Sequence, residues 1–166
     1  MVRVLWFEDD GIVPNNPALP AVIVPGAIAP VAARVQEALR RNGWRGIWTW
    51  TVFDYHHYHP DGHEALVCLT GWADVRLGGT EGETVRLSPG DLCVLPAGTG
   101  HCRERASPDF QVMGAYPAGT RQVEIRRATE ENHRGTPNRI SAVPVPGTCP
   151  VFGTDGPVMR HWVRRH

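Results

Sequence analysis

Lysine is missing from this chain: all 17 Lys and Arg residues are arginines. That excludes Schiff-base and pyridoxal-type chemistry, which need a lysine amine. The four cysteines (Cys68, Cys93, Cys102 and Cys149) show no CxxC spacing, so they read as free thiols used in packing. Basic residues never run more than two together, and 17 of them balance 17 acidic ones. This argues against nucleic acid or an anionic membrane surface as a main partner. No apolar run approaches the roughly 20 residues that cross a bilayer. The first residues, Met-Val-Arg-Val-Leu-Trp, turn acidic within ten positions, unlike a signal peptide. A cytoplasmic location is therefore expected.

What is present fits one domain of ordinary size, 166 residues with 18 Gly and 15 Pro. In residues 1–43, two apolar runs, Val2–Phe7 and Ala21–Val24, read as strands added to a sheet edge. They are followed by one helix: Pro30 suits its first turn, Val31, Val35, Ala38 and Leu39 repeat at helical spacing, and Asn42-Gly43 closes it. The helix is expected to pack outside a barrel or against a partner subunit. Across residues 44–116 the rhythm changes to short alternating segments separated by Gly, Pro and Asp. Strands are predicted at Arg45–Phe53, Tyr55–His59, Glu64–Thr70, Trp72–Leu77, Thr84–Leu87, Asp91–Leu95, His101–Arg105 and Phe110–Tyr116. This is the signature of an all-β, antiparallel jelly-roll barrel. Residues 117–166 are polar, then Pro/Gly-rich, and are expected to wrap the barrel as an irregular arm ending in a short strand.

The chain is organised around Tyr55-His56-His57-Tyr58-His59-Pro60-Asp61-Gly62-His63-Glu64, which holds four of the eight histidines. Pro-Asp-Gly is a turn signal, and the flanking runs read as two antiparallel strands of a hairpin. Strand residues two apart share a face, so His57 and His59 project together, and Glu64 opens the return strand opposite them. Two imidazoles and a carboxylate converging in this way form a set of metal ligands. His56 and His63 have the other parity and are placed behind the site or at its rim, with a shifted ligand set using His63 as the alternative. Tyr55 shares parity with His57 and is a candidate hydrogen-bond donor.

A second stretch runs Gly90-Asp91-Leu92-Cys93-Val94-Leu95-Pro96-Ala97-Gly98-Thr99-Gly100-His101. Together the two stretches resemble the paired motifs of the cupin family. The first motif, HxH followed by E and G, falls on His57, His59, Glu64 and Gly71. The second falls on Gly90, Pro96, Gly98 and His101. Two positions depart from the family pattern: Thr51 stands where a Gly often precedes HxH, and Arg105 where an Asn often closes the second motif. Flanking segments such as Pro14-Asn15-Asn16-Pro17, Arg41-Asn42-Gly43-Trp44 and Gly114-Ala115-Tyr116-Pro117 look like those of the small bacterial YjlB-like cupins.

The resemblance implies a single jelly-roll barrel and one divalent ion held by His57, His59, Glu64 and His101. Ligands without thiolate suit Fe, Mn, Ni, Co or Zn. Such an ion leaves open positions for a small molecule. Arg103 shares parity with His101 and is a candidate for binding a substrate carboxylate bidentately. The function expected is a metal-dependent enzyme acting on a small oxygenated or carboxylated molecule, by dioxygenase-type or isomerase, epimerase or lyase chemistry. The alternative is a non-catalytic binder of metal and small molecules, a sensor or carrier. Trp44, Trp48, Trp50 and Trp72 read as core and interface rather than as a stacking platform. Because edge strands need covering, a homodimer through the N-terminal strands is expected.

Overall fold

The computed structural model describes residues 1–121 and 123–163. The N-terminal apolar runs become β1 (Arg3–Leu5) and β2 (Ala21–Val24), and the predicted helix becomes α1 (Ala32–Arg41). The barrel segments follow as β3 (Trp44–Trp50), β4 (His57–Tyr58), β5 (Glu64–Thr70), β6 (Ala73–Leu77) and β7 (Glu83–Leu87). They continue with β8 (Leu92–Leu95), β9 (His101–Ala106) and β10 (Gln111–Pro117). All strand pairings are antiparallel among the described residues. One sheet runs β1-β2-β8-β5-β10-β3. The other runs β11-β4-β9-β6-β7, where β11 is Arg126–Arg127. The fold is thus all-β, as predicted, with the N-terminal strands at an edge of the six-stranded sheet.

Burial explains why β2, β5 and β8 read as nearly continuous apolar runs rather than alternating ones. The six-stranded sheet is covered on both faces. Its inner face carries Ile23, Leu66, Cys68, Cys93, Leu95 and Val112, which pack against Val75, Leu77, Val85 and Leu87 of the facing sheet. Its outer face carries Val22, Ala65, Val67, Leu92, Val94 and Met113 beneath Val35 and Leu39 of α1. The helix packs outside the barrel, on this chain's own sheet. Each fully buried Leu or Val contributes about 1.5–3 kcal/mol of transfer free energy. Trp44 closes the outer cluster and donates its indole N–H to Thr148 O at 3.2 Å. The cysteines are free thiols, with Cys68, Cys93 and Cys149 buried; burial pushes the Cys93 thiol up to about 12.

The five-stranded sheet faces water on its outer side, and there the sequence turns charged. Asp74 accepts hydrogen bonds from Arg86 at 2.8 and 3.0 Å and from Arg105 at 2.9 and 3.2 Å. Arg86 also lies 4.1 Å above the Trp72 ring. Arg76 pairs with Glu104 at 3.3 Å.

Two expectations need correction. Pro60-Asp61-Gly62 does not close a hairpin: β4 pairs with β9 and β11 in one sheet, and β5 with β8 and β10 in the other. The turn crosses between sheets because β5, apolar on both sides, must lie in the doubly covered sheet. The C-terminal arm is not irregular throughout. It forms β11, α2 (Glu130–His133), α3 (Thr136–Ser141) and α4 (Pro157–His161), and no terminal strand follows α4 among the described residues, the last three lying outside them. No helix among the described residues is long and apolar enough to cross a membrane.

The motif glycines answer steric demands. Gly98 has φ 89°, and an added Cβ would stand 2.4 Å from Ile140 Cδ1 and 2.7 Å from Asn15 O. Its N–H donates to His59 O at 2.9 Å, and its carbonyl accepts from Asn15 N at 2.9 Å. Asn15 and Asn16, nearly fully buried, clip the same turn: Asn15 Oδ1 accepts from Gly100 N at 3.1 Å, and Asn16 Nδ2 donates to Ala97 O at 3.0 Å. Gly98→Ala will therefore destabilise the fold by more than about 1 kcal/mol, since φ is positive and, besides the Ile140 side chain, the Asn15 backbone carbonyl blocks the Cβ. Urea unfolding checks this, and an unchanged midpoint would contradict it.

A second outcome concerns acid. Hydrogen bonds from Arg86, seconded by Arg105, hold the Asp74 carboxyl at about 2 against an ordinary 3.8. A depressed folded pKa means the contribution is full above roughly pH 4 and is lost as pH falls through the folded value. Between pH 5 and 2, the wild type will lose stability more steeply than Asp74→Asn; parallel curves would contradict the assignment.

Candidate metal centre

His57 lies on β4 and is the direct cross-strand partner of His101, the first residue of β9. His59 follows one residue after β4, and Glu64 opens β5 on the opposite sheet. The donors therefore meet across the barrel interior, not across a hairpin. One ligand atom each from His59, Glu64 and His101 lies within 4.8 Å of the others, and all three residues are buried. Glu64 Oε2 is 3.1 Å from His59 Nε2, and Oε1 is 3.3 Å from His101 Nε2. His57 stands beside this cluster, its ring centroid 4.0 Å from that of His101 and 6.1 Å from that of His59.

Each imidazole is held from behind. His57 Nδ1 is 2.9 Å from Tyr55 O, His59 Nδ1 is 3.0 Å from Glu124 O, and His101 Nδ1 is 3.0 Å from Thr99 O. A carbonyl can only accept, so all three Nδ1 atoms carry the proton. This fixes each ring and turns its Nε2 toward the cavity.

The electrostatics follow from crowding charge and dipole in a dry place. Burial, reinforced by the neighbouring His101, lowers the His57 pKa to about 2, so this ring stays neutral. Burial alone would raise Glu64 and lower His59. The contacts between them win, holding the carboxyl below the usual carboxylate range and raising the imidazole. Tyr116 was missed by the sequence reading. Its hydroxyl accepts from Trp48 Nε1 at 2.9 Å and is hydrogen-bonded to Glu64. Burial, then the Glu64 charge, raises its pKa, so it remains a neutral donor.

The cluster lies at the bottom of a cavity of about 260 Å³, whose walls include Trp48, Trp50, Val52, Phe53, Leu66 and Ile125. Trp48 and Trp50 thus correct the expectation that all four tryptophans are core or interface. Only Trp44 is fully buried, whereas Trp50 is 58% exposed at the cavity mouth. The β3 alternation could have shown this, since Trp48 and Trp50 share one face of an edge strand.

Neither of the two proposed catalytic side chains lines the cavity. The Tyr55 ring stacks on Phe53 at 5.0 Å, with Arg127 4.4 Å above it, and the residue serves the site through its carbonyl. Arg103 donates to Thr51 Oγ1 at 2.8 Å, behind the cavity wall. His63 is committed elsewhere: Nδ1 accepts from Ala97 N at 2.9 Å, Nε2 lies 3.0 Å from Pro144 O, and the ring packs 4.7 Å from Trp162. His56 is half-buried, and burial lowers its pKa.

Glu124 and Ile125 could not be found from local sequence, because the C-terminal arm brings them back. Arg126–Arg127 pairs with β4, and the Glu124 carboxylate accepts from Arg126 Nε at 3.0 Å and from Arg139. Arg139 also grips Asp61 of the crossing turn, with Nε 2.9 Å from Oδ1.

The carbonyl contacts predict a tautomer. In the metal-free protein near pH 8, long-range ¹⁵N–¹H spectra will show His57 and His101 protonated on Nδ1, and His57 will not titrate between pH 8 and 5. Protonation of either ring on Nε2 alone would contradict the geometry.

Comparison with known proteins agrees with the fold. Residues 51–111 match the Cupin domain family. Uncharacterized protein YjlB of Bacillus subtilis (strain 168) is 35% identical over 159 residues, covering 96% of this chain and 95% of that protein. Among solved structures, acireductone dioxygenase from Bacillus anthracis, with a cadmium ion in its active centre, is similar at 20% identity and TM-score 0.39. That likeness covers 55% of this chain and 61% of that one. The QdtA 3,4-ketoisomerase from Thermoanaerobacterium thermosaccharolyticum is similar at 17% identity and TM-score 0.43, over 56% of this chain and 71% of that one. The two structural likenesses say nothing of activity. The likeness to YjlB over almost the whole chain, with the domain match across the barrel, carries the conclusion: the chain belongs to the cupin family.

Proposed function

We propose that this cupin is a metal-dependent enzyme acting on a small oxygenated or carboxylated molecule, by dioxygenase-type or isomerase, epimerase or lyase chemistry. The observation that supports it most is the common orientation of three imidazoles beside a buried carboxylate. Buried charged clusters contribute little net stability compared with apolar residues of similar volume. Placing four polar side chains on the inner face of an otherwise apolar barrel is therefore better explained by chemistry than by folding. The donor set suits the group: three imidazole Nε2 atoms, which would give up any proton to a bound ion, and a carboxylate, with no thiolate in the cavity lining. His57, His59, Glu64 and His101 would hold one divalent ion, Fe, Mn, Ni, Co or Zn. Such an ion supplies Lewis acidity, or redox chemistry where the metal permits it.

The chain's own groups would do the rest. Backbone carbonyls of Tyr55, Thr99 and Glu124 keep the imidazoles in one tautomer. The apolar walls exclude water and strengthen the fields acting on a bound molecule. Tyr116, held neutral, would donate a hydrogen bond at the cavity floor.

One observation favours a second reading, a non-catalytic binder of metal and small molecules. Apart from the cluster and Tyr116, no titratable side chain among the described residues lines the cavity. A proton-transfer reaction would have to use these groups alone.

The native protein purified without chelators is expected to carry about one first-row divalent ion per chain by elemental analysis. The quadruple alanine variant of His57, His59, Glu64 and His101 will carry none. Glu64→Gln alone is expected to weaken the ion by at least about 10–100-fold, the loss that changing even a residue behind the ligands produces. Failure to retain or take up any of the five metals would overturn the reading. With metal bound, oxygen uptake on adding candidate substrates selects the dioxygenase branch, and anaerobic turnover selects the other. Ligand binding without product in either case selects the binder.

A further inference from the structure

The walls of the cavity narrow the ligand further than the metal centre does. Above the His/Glu floor the lining is indole, phenyl and alkyl (Trp48, Trp50, Phe53, Val52, Leu66 and Ile125), with the Thr51 hydroxyl as its one polar interruption among the described residues. No arginine among the described residues lines it. Arg103, bonded to a wall residue, spends a guanidinium N–H on Thr51 Oγ1 at 2.8 Å. Arg127 lies over the outer Tyr55 ring. A carboxylate or phosphate tail pushed against these walls would lose its hydration with no cation to replace it and at most the Thr51 hydroxyl as a donor.

The mouth adds a second, independent observation. Trp50 is 58% exposed and Ile125 49% exposed, although each comes from a different part of the chain and neither is needed to close the core. Trp50 meets Phe53 edge to face at 5.4 Å and 82°, which presents two flat surfaces at an angle. Trp48 has its only polar atom committed to Tyr116 at 2.9 Å, so it offers ring surface alone. The volume, about 260 Å³, lies at or below the lower end of ordinary drug-sized pockets of roughly 300–1,000 Å³. Within its walls that admits one ring with short substituents.

We propose that the cavity selects a compact ligand with an uncharged, planar apolar body, whose oxygen donors reach the His/Glu floor while Trp50, Phe53 and Ile125 grip the body. This rests on the metal-centre reading for the donor end only. Trp50 and Ile125 are specificity-determining residues that touch the ligand's body. Carboxylated substrates are then disfavoured, unless the carboxylate is itself the group at the floor.

The full-length protein loaded with Zn(II), which is redox-inert, allows the test. Calorimetric affinities for 4-methylcatechol and for oxalate are compared in the wild type and in the Trp50→Ala/Ile125→Ala double variant. Both substitutions lie at the exposed mouth, and circular dichroism with zinc content confirms that the variant is folded and loaded. The ratio of catechol to oxalate affinity is expected to fall by about 10-fold or more in the variant, with oxalate binding unchanged. A ratio that does not move overturns the proposal. So does a variant whose only change is in sedimentation, since the mouth would then be a face covered by a second copy of the chain. If zinc does not load, another of the five ions takes its place; if none loads, the metal-centre reading fails, and the wall is tested alone. Saturation-transfer NMR with p-cresol on the metal-free protein should give a signal in the wild type that the double variant loses. No signal in the wild type, or an equal one in both, would overturn the wall.

Discussion

A carboxylate that folds away from water must be given its partners in advance. Glu64 is 3% exposed, and the barrel gives it His59 at 3.1 Å, His101 at 3.3 Å and the Tyr116 hydroxyl. Leaving such a group unpaired would cost several kcal/mol, so the local geometry has little freedom. The partners come from both sheets and cannot be assembled by any one hairpin. The barrel must close before the carboxylate is satisfied.

The imidazoles are oriented by backbone rather than by side chains, and this extends the site well beyond the motifs. Two of the three carbonyls lie two residues before the histidine they hold, Tyr55 for His57 and Thr99 for His101. The third, Glu124, lies 65 residues after His59. Its position depends on the pairing of β11 with β4 and on the hold of Arg126 and Arg139 on its carboxylate. Arg139 simultaneously fixes Asp61, in the turn between His59 and Glu64. The C-terminal arm is thus a strap that locks the crossing turn, one imidazole and one wall of the cavity together.

Strand spacing, α1 and the two motifs were legible because each depends on residues near in sequence. Turn glycines, parity along a strand and helical spacing are local physics. What local physics could not decide was which strand each segment would join. His57–Tyr58 and Glu64–Thr70 look like the arms of a hairpin, but burial on both faces assigns β5 to the inner sheet while β4 finds β9 and β11. The same limit hid Glu124 and Ile125, which reach the cavity through β11 pairing. It also hid what Asn15 and Asn16 of the flanking Pro-Asn-Asn-Pro segment do, which is to serve as buried clips on the turn before His101.

The two sheets divide the work unequally, and this accounts for where the cavity opens. The six-stranded sheet, covered on both faces, provides most of the apolar burial and carries Glu64 as a fixed point. The five-stranded sheet turns arginine and carboxylate pairs to water, and exposed pairs of that kind contribute only about 0–1 kcal/mol each. The cavity opens beside β3, the edge strand of the first sheet, where no further strand covers Trp48 and Trp50. An edge strand with exposed aromatics invites association with another chain. Here those aromatics line a cavity whose floor holds polar donors, so the surface that would otherwise be a liability is where a small apolar body can gain burial while its oxygens reach the floor.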